Sequence, residues 1–311
     1  MLAPDGSAED GSAERPLAQR PAGEEPVERR LEVDGLTLVS FEWAGEGAPI
    51  LLAHGTGFHA RVWDAVARRL PGRRVIALDL RGHGRSSKPE PPYHWRRFAE
   101  DIVALVRGLD LHGVIGVGHS MGGHTVADAA IQCPDRFTRL VLIDPTIMIA
   151  ADRASQAGGG FEFVSRRRNE WASPEEMIER FSERFPFNAW HDGVLRDYAV
   201  YGLLPAPSGE GYVLACPPVV EAAVYAGRVT PGFDLVSELD RLTIPVDVLR
   251  SRAPDPGETP APFTTSPTMP DLASRLHDGT DLSLPHLSHF IPMEAPDLVA
   301  RHILRAAEAT S

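Results

Sequence analysis

Short apolar runs that alternate with helical segments constrain the fold of this chain more than any other feature. The apolar runs are ILLAH (50–54), RVIALDL (74–80), GVIGVG (113–118) and RLVLIDP (139–145). Segments between them, such as RRFAEDIVALVRGL, have the apolar spacing of helices. Strands that are apolar along their whole length are buried on both faces, and helices between them make the crossovers of a parallel sheet. The sequence therefore predicts an α/β fold with a mostly parallel central sheet and helices on both faces.

The alternation is interrupted once, and this predicts the domain organisation. Residues 146–232 contain helix-like pieces but no convincing strand, and the strand–helix pattern resumes afterwards. We therefore expect an inserted helical cap at residues 146–232, between two parts of one α/β core, residues 30–145 and 233–311. Residues 1–29 are rich in Ala, Glu, Gly and Pro and predict a disordered tail, because such a segment cannot bury enough apolar surface.

Local signals refine this organisation at three places. Apolar residues on both sides of Asp34-Gly35 predict a β-hairpin near the start of the core. Ser173 followed by Pro174 predicts the N-terminus of a cap helix. The Pro-rich stretch 250–270 has no periodicity and predicts a long loop, of the kind that is usually functional or disordered.

Composition narrows the classes of function. The net charge of −12 and the lack of basic runs argue against nucleic-acid and membrane partners. No stretch approaches the ~20 apolar residues that span a bilayer, and no secretory signal pattern is present, so we expect a cytoplasmic protein. Cys133 and Cys216 are far apart and predict free thiols. No cofactor or metal signature is present. We expect a small-molecule substrate, and either a monomer or a homodimer.

The motif Gly118-His119-Ser120-Met121-Gly122 carries the strongest chemical signal. It fits G-x-S-x-G, and it lies where an apolar run passes into a predicted helix. A serine on such a sharp turn projects its hydroxyl above the sheet, and the glycines remove side chains that would clash there. The motif predicts that Ser120 is a nucleophile. The first amide of the following helix, that of Met121, would face a developing oxyanion.

Four segments together resemble the α/β-hydrolase superfamily over roughly residues 31–311. They are HGTGF (54–58), DLRGHGRS (79–86), GHSMGG (118–123) and HLSHFIPMEAP (286–296), in the order typical of that family. The resemblance implies that the N–H of Thr56 is one arm of an oxyanion hole, with the N–H of Met121 as the other. It also implies that His54, Asp79 and His83 have structural rather than catalytic roles.

A serine needs a base and an acid, and the resemblance implies the chain order serine, acid, histidine. His289 follows the last predicted strand in a setting similar to the family's base loop, with His286 as the alternative. The acid is open between two residues. Asp255 lies in the loop after IPVDVLR, about one residue late and between two prolines, whereas Asp144 ends the run RLVLIDP, from which some family members take their acid.

These residues predict a serine hydrolase that cleaves an ester-like bond of a small hydrophobic substrate through an acyl-enzyme. We expect the substrate to contact side chains of the cap and of the core loops: Phe58, His119, Trp190, Tyr198 and Phe290. Two alternatives stay open. A carbon–carbon bond hydrolase or a lactonase would use the same triad, and a ligand-binding member without catalysis would fit the irregular Asp255 loop.

Overall fold

An eight-stranded sheet forms the centre of the protein. The computed structural model describes residues 17–21, 23–148, 162–228, 233–255 and 263–309. The strands are β1 (Val27–Val33), β2 (Leu36–Trp43), β3 (Glu46–Ala53), β4 (Arg73–Asp79), β5 (Val114–His119), β6 (Phe137–Ile143), β7 (Glu170–Trp171), β8 (Leu203–Pro205), β9 (Tyr212–Leu214), β10 (Val246–Arg250) and β11 (Gly279–Ser283). The order in the central sheet is β1-β2-β4-β3-β5-β6-β10-β11. From β4 to β11 all neighbours are parallel, so the predicted fold class is confirmed.

The edge of the sheet at β1 and β2 is antiparallel and is made by the predicted hairpin. Val33 pairs with Leu36 across a two-residue turn. The turn residues Asp34 and Gly35 have φ values of 47° and 78°. A tight hairpin turn with positive φ at both central positions suits Asp-Gly, because aspartate tolerates this region and glycine has no Cβ to clash.

Helices cover the sheet on both faces. In the described ranges the helices, those of the inserted segment included, are α1 (Asp64–Ala67), α2 (Trp95–Gly108), α3 (Met121–Gln132), α4 (Pro174–Phe181), α5 (Asp192–Tyr201), α6 (Pro218–Ala226), α7 (Ile291–Glu294) and α8 (Pro296–Glu308). Short 3-10 helices occupy Ala60–Trp63, Glu162–Arg166, Phe187–Ala189, Leu235–Arg241 and Ala273–Arg275. Alternate side chains of each strand enter opposite cores: Ile50 and Leu52 pack with α1 and α8, whereas Leu51 and Ala53 pack with α2 and α3. None of the helices in the described ranges is long and apolar enough to cross a membrane.

The inserted segment contains α4, α5 and α6 and also a small antiparallel sheet, in the order β7-β9-β8. The expectation that this segment has no strand is therefore wrong. Strands of two or three residues are too short to leave a periodic pattern in the sequence. The helix start at Ser173 is confirmed, because its side chain accepts a hydrogen bond from the N–H of Glu176. Residues 149–161 and 229–232 of the expected cap lie outside the described residues.

The boundary expected at residue 29 needs correction. Strand β1 begins at Val27. Upstream of it, Arg20 is only 6% exposed, and its guanidinium donates hydrogen bonds to the carbonyl oxygens of Ala44 and Ala67, each at 3.0 Å. These hydrogen bonds, together with Leu17, which packs against the core, fix the segment, and composition does not reveal such contacts. Residues 1–16 of the expected tail lie outside the described residues.

Candidate active site

Ser120 stands on a strained turn between β5 and α3. Its φ and ψ angles are 57° and −120°, a conformation that non-glycine residues rarely adopt. Its N–H donates to the carbonyl oxygen of Ile143, and its own carbonyl oxygen accepts from the N–H of Thr146, both at 3.0 Å. These two bonds tie the turn to the end of β6. They hold Ser120 in place where strain would otherwise move it.

The glycines of the motif are required by close approaches of the backbone. A Cβ at Gly122 would lie 2.2 Å from the carbonyl oxygen of Ala53, at the end of β3. A Cβ at Gly118 would lie 2.3 Å from the carbonyl oxygen of Gly122. No side chain fits at either distance. Glycine at 122 therefore lets the turn lie against β3, and glycine at 118 lets the strand lie against the start of α3.

Ser120, His289 and Asp144 form a hydrogen-bonded row. The Nε2 atom of His289 lies 2.9 Å from Oγ of Ser120, and its Nδ1 atom lies 2.7 Å from Oδ2 of Asp144. Asp144 is fully buried and His289 is 6% exposed. With the carboxylate at Nδ1, the neutral imidazole carries its proton there. Its Nε2 lone pair is then free to accept the Ser120 proton.

Asp144 is held in its charged form by several donors. Ser251 donates both its N–H, at 2.9 Å, and its hydroxyl, at 2.8 Å, and the Ser266 hydroxyl donates at 2.5 Å. Burial by itself would raise the pKa of Asp144. The hydrogen bond and charge of His289, and the hydrogen bonds that Ser266 and Ser251 donate, hold this pKa below its usual value. A carboxylate that stays ionised can stabilise an imidazolium beside it.

The other expected acid, Asp255, is not at the base. Its side chain is 83% exposed, and it forms an ion pair with Arg252 at 3.5 Å. The carboxylate that contacts His289 is that of Asp144. The loop after β10 therefore contributes serine donors to the row, and its aspartate points to the surface. Residues 256–262 of this loop lie outside the described residues.

The two expected oxyanion residues come together beside Ser120. The Thr56 hydroxyl donates to the Met121 sulfur at 3.3 Å, and both residues are buried. The preceding Gly55 packs against the nucleophile, because a Cβ there would lie 3.1 Å from Cβ of Ser120. Met121 is the first residue of α3, and the first N–H groups of a helix have no partner within it. The loop after β3 and the start of α3 therefore meet beside Ser120.

The sequence model of the α/β-hydrolase family matches residues 50–302. The chain belongs to this family. A 2-(acetamidomethylene)succinate hydrolase of Mesorhizobium japonicum is 28% identical over 286 residues, which cover 91% of this chain and 96% of that protein. Its relatives are named as hydrolases and esterases, and the chain is an enzyme of the hydrolase class.

Solved structures agree with this assignment at the level of the fold. The crystal structure of an E-2-(acetamidomethylene)succinate hydrolase has a TM-score of 0.74 at 24% identity, covering 90% of this chain and 98% of that one. A thermophilic esterase from Thermogutta terrifontis has a TM-score of 0.65 at 22% identity, covering 91% and 99% of the two chains. Identities this low show a shared architecture and no more.

In this α/β-hydrolase, three polar side chains of the family segments have structural partners, as expected. His54 accepts a hydrogen bond from the N–H of Leu80 at 3.1 Å, and His83 accepts one from the N–H of Gly57 at 3.1 Å. Asp79 is fully buried and accepts from the N–H groups of residues 60 and 85, at 2.6 and 2.7 Å. Together they hold the loop after β3, which carries Thr56, against the loop after β4.

His119 supports the base. Its ring has no exposed surface, and its Nε2 atom lies 2.8 Å from the carbonyl oxygen of His289. Burial lowers the pKa of His119 to about 3, so the ring is neutral and donates one hydrogen bond to this carbonyl. With no exposed surface, His119 is placed to position the base loop. This buried position argues against the expected contact between His119 and a substrate.

The remaining expected substrate residues form an aromatic wall. Phe58, next to the oxyanion loop, contacts Trp190, Tyr198 and Phe290 with ring centroids 5.8, 5.8 and 6.0 Å away. Phe58 is half-buried, whereas the other three are buried at 4–5% exposure. The wall therefore joins the cap to the loop after β3 and to the loop of His289. Much of its surface packs within the protein, and Phe58 has the largest free face.

Sequence reasoning missed four residues of the site: Thr146, Ser251, Phe263 and Ser266. The Thr146 hydroxyl lies 3.3 Å from Oγ of Ser120. Phe263 has a φ of 71°, and its carbonyl oxygen accepts from the N–H of His289 at 3.3 Å. Thr146 could have been found from its position just after the run RLVLIDP. The other three lie in or beside the Pro-rich loop, where no local pattern marks them.

His286, the alternative base, lies on the surface and is exposed. His289, three residues further along the chain, is buried in the row with Ser120. The two histidines therefore face different surroundings despite their close spacing. Across the described parts of the chain, no group of three or more His, Cys, Asp or Glu side chains is placed to hold a metal ion.

Proposed function

We propose that this α/β-hydrolase cleaves an ester bond of a small hydrophobic substrate through an acyl-enzyme on Ser120. The observation that carries the proposal is the continuous row from Oγ of Ser120 through His289 to the buried Asp144, with spacings of 2.9 and 2.7 Å. Such a row activates a hydroxyl that is otherwise a poor nucleophile.

In the acylation half, Oγ of Ser120 attacks the carbonyl carbon while its proton passes to Nε2 of His289. The carbonyl π electrons move to the oxygen, which the N–H groups of Thr56 and Met121 stabilise. Asp144 stabilises the imidazolium. When the carbonyl re-forms, the bond to the leaving alcohol breaks, and this alcohol takes the proton from His289. The acyl group stays on Ser120.

In the deacylation half, a water molecule gives a proton to Nε2 of His289 and adds to the acyl carbon. The second tetrahedral intermediate has the same oxyanion partners. It collapses by breaking the bond to Oγ of Ser120, which takes the proton back from the imidazolium. The free acid is released, and the row returns to its starting state.

The aromatic wall supports the class of substrate. Phe58 lies between the oxyanion loop and the cap, and Phe290 follows the base directly. An acyl chain or ring placed on Ser120 would contact apolar carbon on this side of the site. Burial of this surface favours a hydrophobic acyl group over a charged one. Trp190→Ala and Phe58→Ala should therefore weaken the preference for longer acyl chains.

A second candidate reaction follows from one comparison. The 2-(acetamidomethylene)succinate hydrolase of Mesorhizobium japonicum aligns with 91% of this chain, so the substrate in its name deserves a direct assay. A carbon–carbon bond hydrolase or a lactonase would use the same row. A ligand-binding role without catalysis is less well supported, because Ser120, His289 and Asp144 keep hydrogen-bonding distances. Cytoplasmic location and the choice between monomer and homodimer stay predictions.

The test combines turnover and covalent labelling. We expect the wild type to hydrolyse p-nitrophenyl esters and to be labelled by a fluorophosphonate probe, and Ser120→Ala to lose both. Ser274→Ala serves as the matched control, because Ser274 is exposed and its hydroxyl donates to a nearby carbonyl oxygen, that of Asp271. Labelling of Ser120 without ester turnover would support the serine mechanism but contradict the ester substrate, and the alternative substrates would then be assayed. No labelling of Ser120 would overturn the serine mechanism.

A further inference from the structure

Thr146 lies against the nucleophile and follows the acid by two residues. Its Oγ1 atom is 3.3 Å from Oγ of Ser120, and the residue is 9% exposed. Its N–H donates to the carbonyl oxygen of Ser120 at 3.0 Å. The segment is fixed further by the Thr268 hydroxyl, which donates to the carbonyl oxygen of Pro145 at 2.7 Å. The Thr146 hydroxyl therefore has a defined position beside the reacting oxygen.

The direction of this hydrogen bond follows from the protons in the row. Asp144 accepts from Nδ1 of His289, so Nε2 of that ring carries the lone pair. The Ser120 hydroxyl must then donate its one proton to Nε2. Having no second proton, Oγ of Ser120 can only accept in its contact with Thr146. The Thr146 hydroxyl is the donor.

We propose that Thr146 is a further catalytic residue of this enzyme, whose hydroxyl stabilises negative charge on Oγ of Ser120. This proposal rests on the proposed serine mechanism. Charge builds on Oγ as its proton leaves for His289 during attack. It builds again when the bond between Oγ and the acyl carbon breaks during deacylation. The oxyanion donors act on the substrate oxygen, so Thr146 serves a different atom.

This donor acts more strongly in the transition states than in the resting enzyme. A hydrogen bond to an ionised oxygen is shorter and about twice as strong as one to a neutral hydroxyl. Only such a difference between ground state and transition state accelerates a reaction. Thr146 is buried and the contact is shielded in part from solvent, which strengthens the interaction. Because backbone bonds already fix Thr146, little reorganisation is needed when the charge appears.

The experiment compares Thr146→Val, which replaces the hydroxyl by a methyl group at nearly constant shape, with Thr146→Ser, which keeps the hydroxyl. Thr138→Val is the matched control, because Thr138 lies at the start of β6, away from Ser120, and its hydroxyl donates to the backbone carbonyl oxygen of Gly113, 3.1 Å away. Two rates are measured in the full-length enzyme: kcat/KM for a p-nitrophenyl ester and the rate of fluorophosphonate labelling of Ser120.

We expect Thr146→Val to lower both rates by about tenfold, less than the loss of an oxyanion donor because the hydrogen bond is long. Thr146→Ser and Thr138→Val should stay near wild type. Equal labelling of Thr146→Val and wild type would overturn the role of Thr146 alone, whereas a wild type that is not labelled at Ser120 would overturn the serine mechanism. If Thr146→Val does not fold, Thr146→Ala against Thr146→Ser makes the same comparison.

Discussion

The buried ring of His119 donates a hydrogen bond of 2.8 Å to the carbonyl oxygen of His289. His119, the residue directly before Ser120, thus holds the backbone of His289 in place. The bond links β5 to the loop after β11, so the two halves of the row keep their spacing without relying on Asp144 alone. This relationship leads to the first prediction.

His119→Leu should lower kcat by about tenfold with little change in KM, because the carbonyl of His289 loses its donor and the base loop shifts. His119→Gln keeps a donor and should recover most of the activity. Both variants are compared by ester hydrolysis and by unfolding in urea. A His119→Leu enzyme with wild-type kcat would show that this bond does not position the base.

Asp144→Asn should reduce kcat by about 10³–10⁴-fold, because an amide at Nδ1 of His289 favours the wrong tautomer and cannot stabilise the imidazolium. Asp255→Asn, at an exposed position, should stay within twofold of wild type. Circular dichroism checks the fold of both variants. Loss of activity in Asp255→Asn, with Asp144→Asn active, would reverse the assignment of the acid.

Gly122→Ala should destabilise the protein by more than ~3 kcal/mol or prevent folding, because its Cβ would lie 2.2 Å from the carbonyl oxygen of Ala53. Gly193→Ala is the control. Gly193 lies in the first turn of α5, and the atom nearest to a Cβ there is 3.4 Å away, an ordinary contact distance. Urea denaturation measures both. A Gly122→Ala protein as stable as the control would contradict the close approach of this turn to β3.

Acid should reduce the contribution that the buried histidines make to the stability of the fold. Burial lowers the pKa of His59 and His119 to about 3 and that of His83 to about 4, and it lowers the pKa of His54 as well. The unfolded chain binds these protons first, so their contribution to stability is complete above pH ~6.5 and is lost as the pH falls towards the folded values. Each such histidine adds a slope of ~1.4 kcal/mol per pH unit in this window.

The measurement is the free energy of unfolding in urea at pH 7.5, 6.0 and 5.0. His59→Gln should lower the slope of the unfolding free energy against pH by the equivalent of about one bound proton, because Gln does not titrate. His277→Gln changes an exposed histidine and should leave the slope as in wild type. Identical slopes in His59→Gln and wild type would show that His59 is protonated in the folded protein.

Local patterns in the sequence were enough to predict the α/β architecture, the turn at Ser120 and the histidine, His289, that contacts Ser120. Each depends on neighbours along the chain: apolar runs with helical spacing between them, glycines on both sides of a serine, and a histidine just after the last strand. The short strands of the cap and the burial of Arg20 depend on contacts with distant segments. Composition and periodicity do not predict contacts between distant segments.

The identity of the acid shows most clearly what tertiary structure decides. Strands β6 and β10 are adjacent and parallel, with Ile143 opposite Leu249, so the loops that carry Asp144 and Asp255 leave the same edge of the sheet. By sequence, either aspartate could reach His289. Packing places Asp144 next to Ser251, and the chain then carries Asp255 out to the surface. The sequence alone placed two candidate carboxylates at this edge, and only the three-dimensional course of the loop after β10 decided that Asp144, and not Asp255, contacts His289.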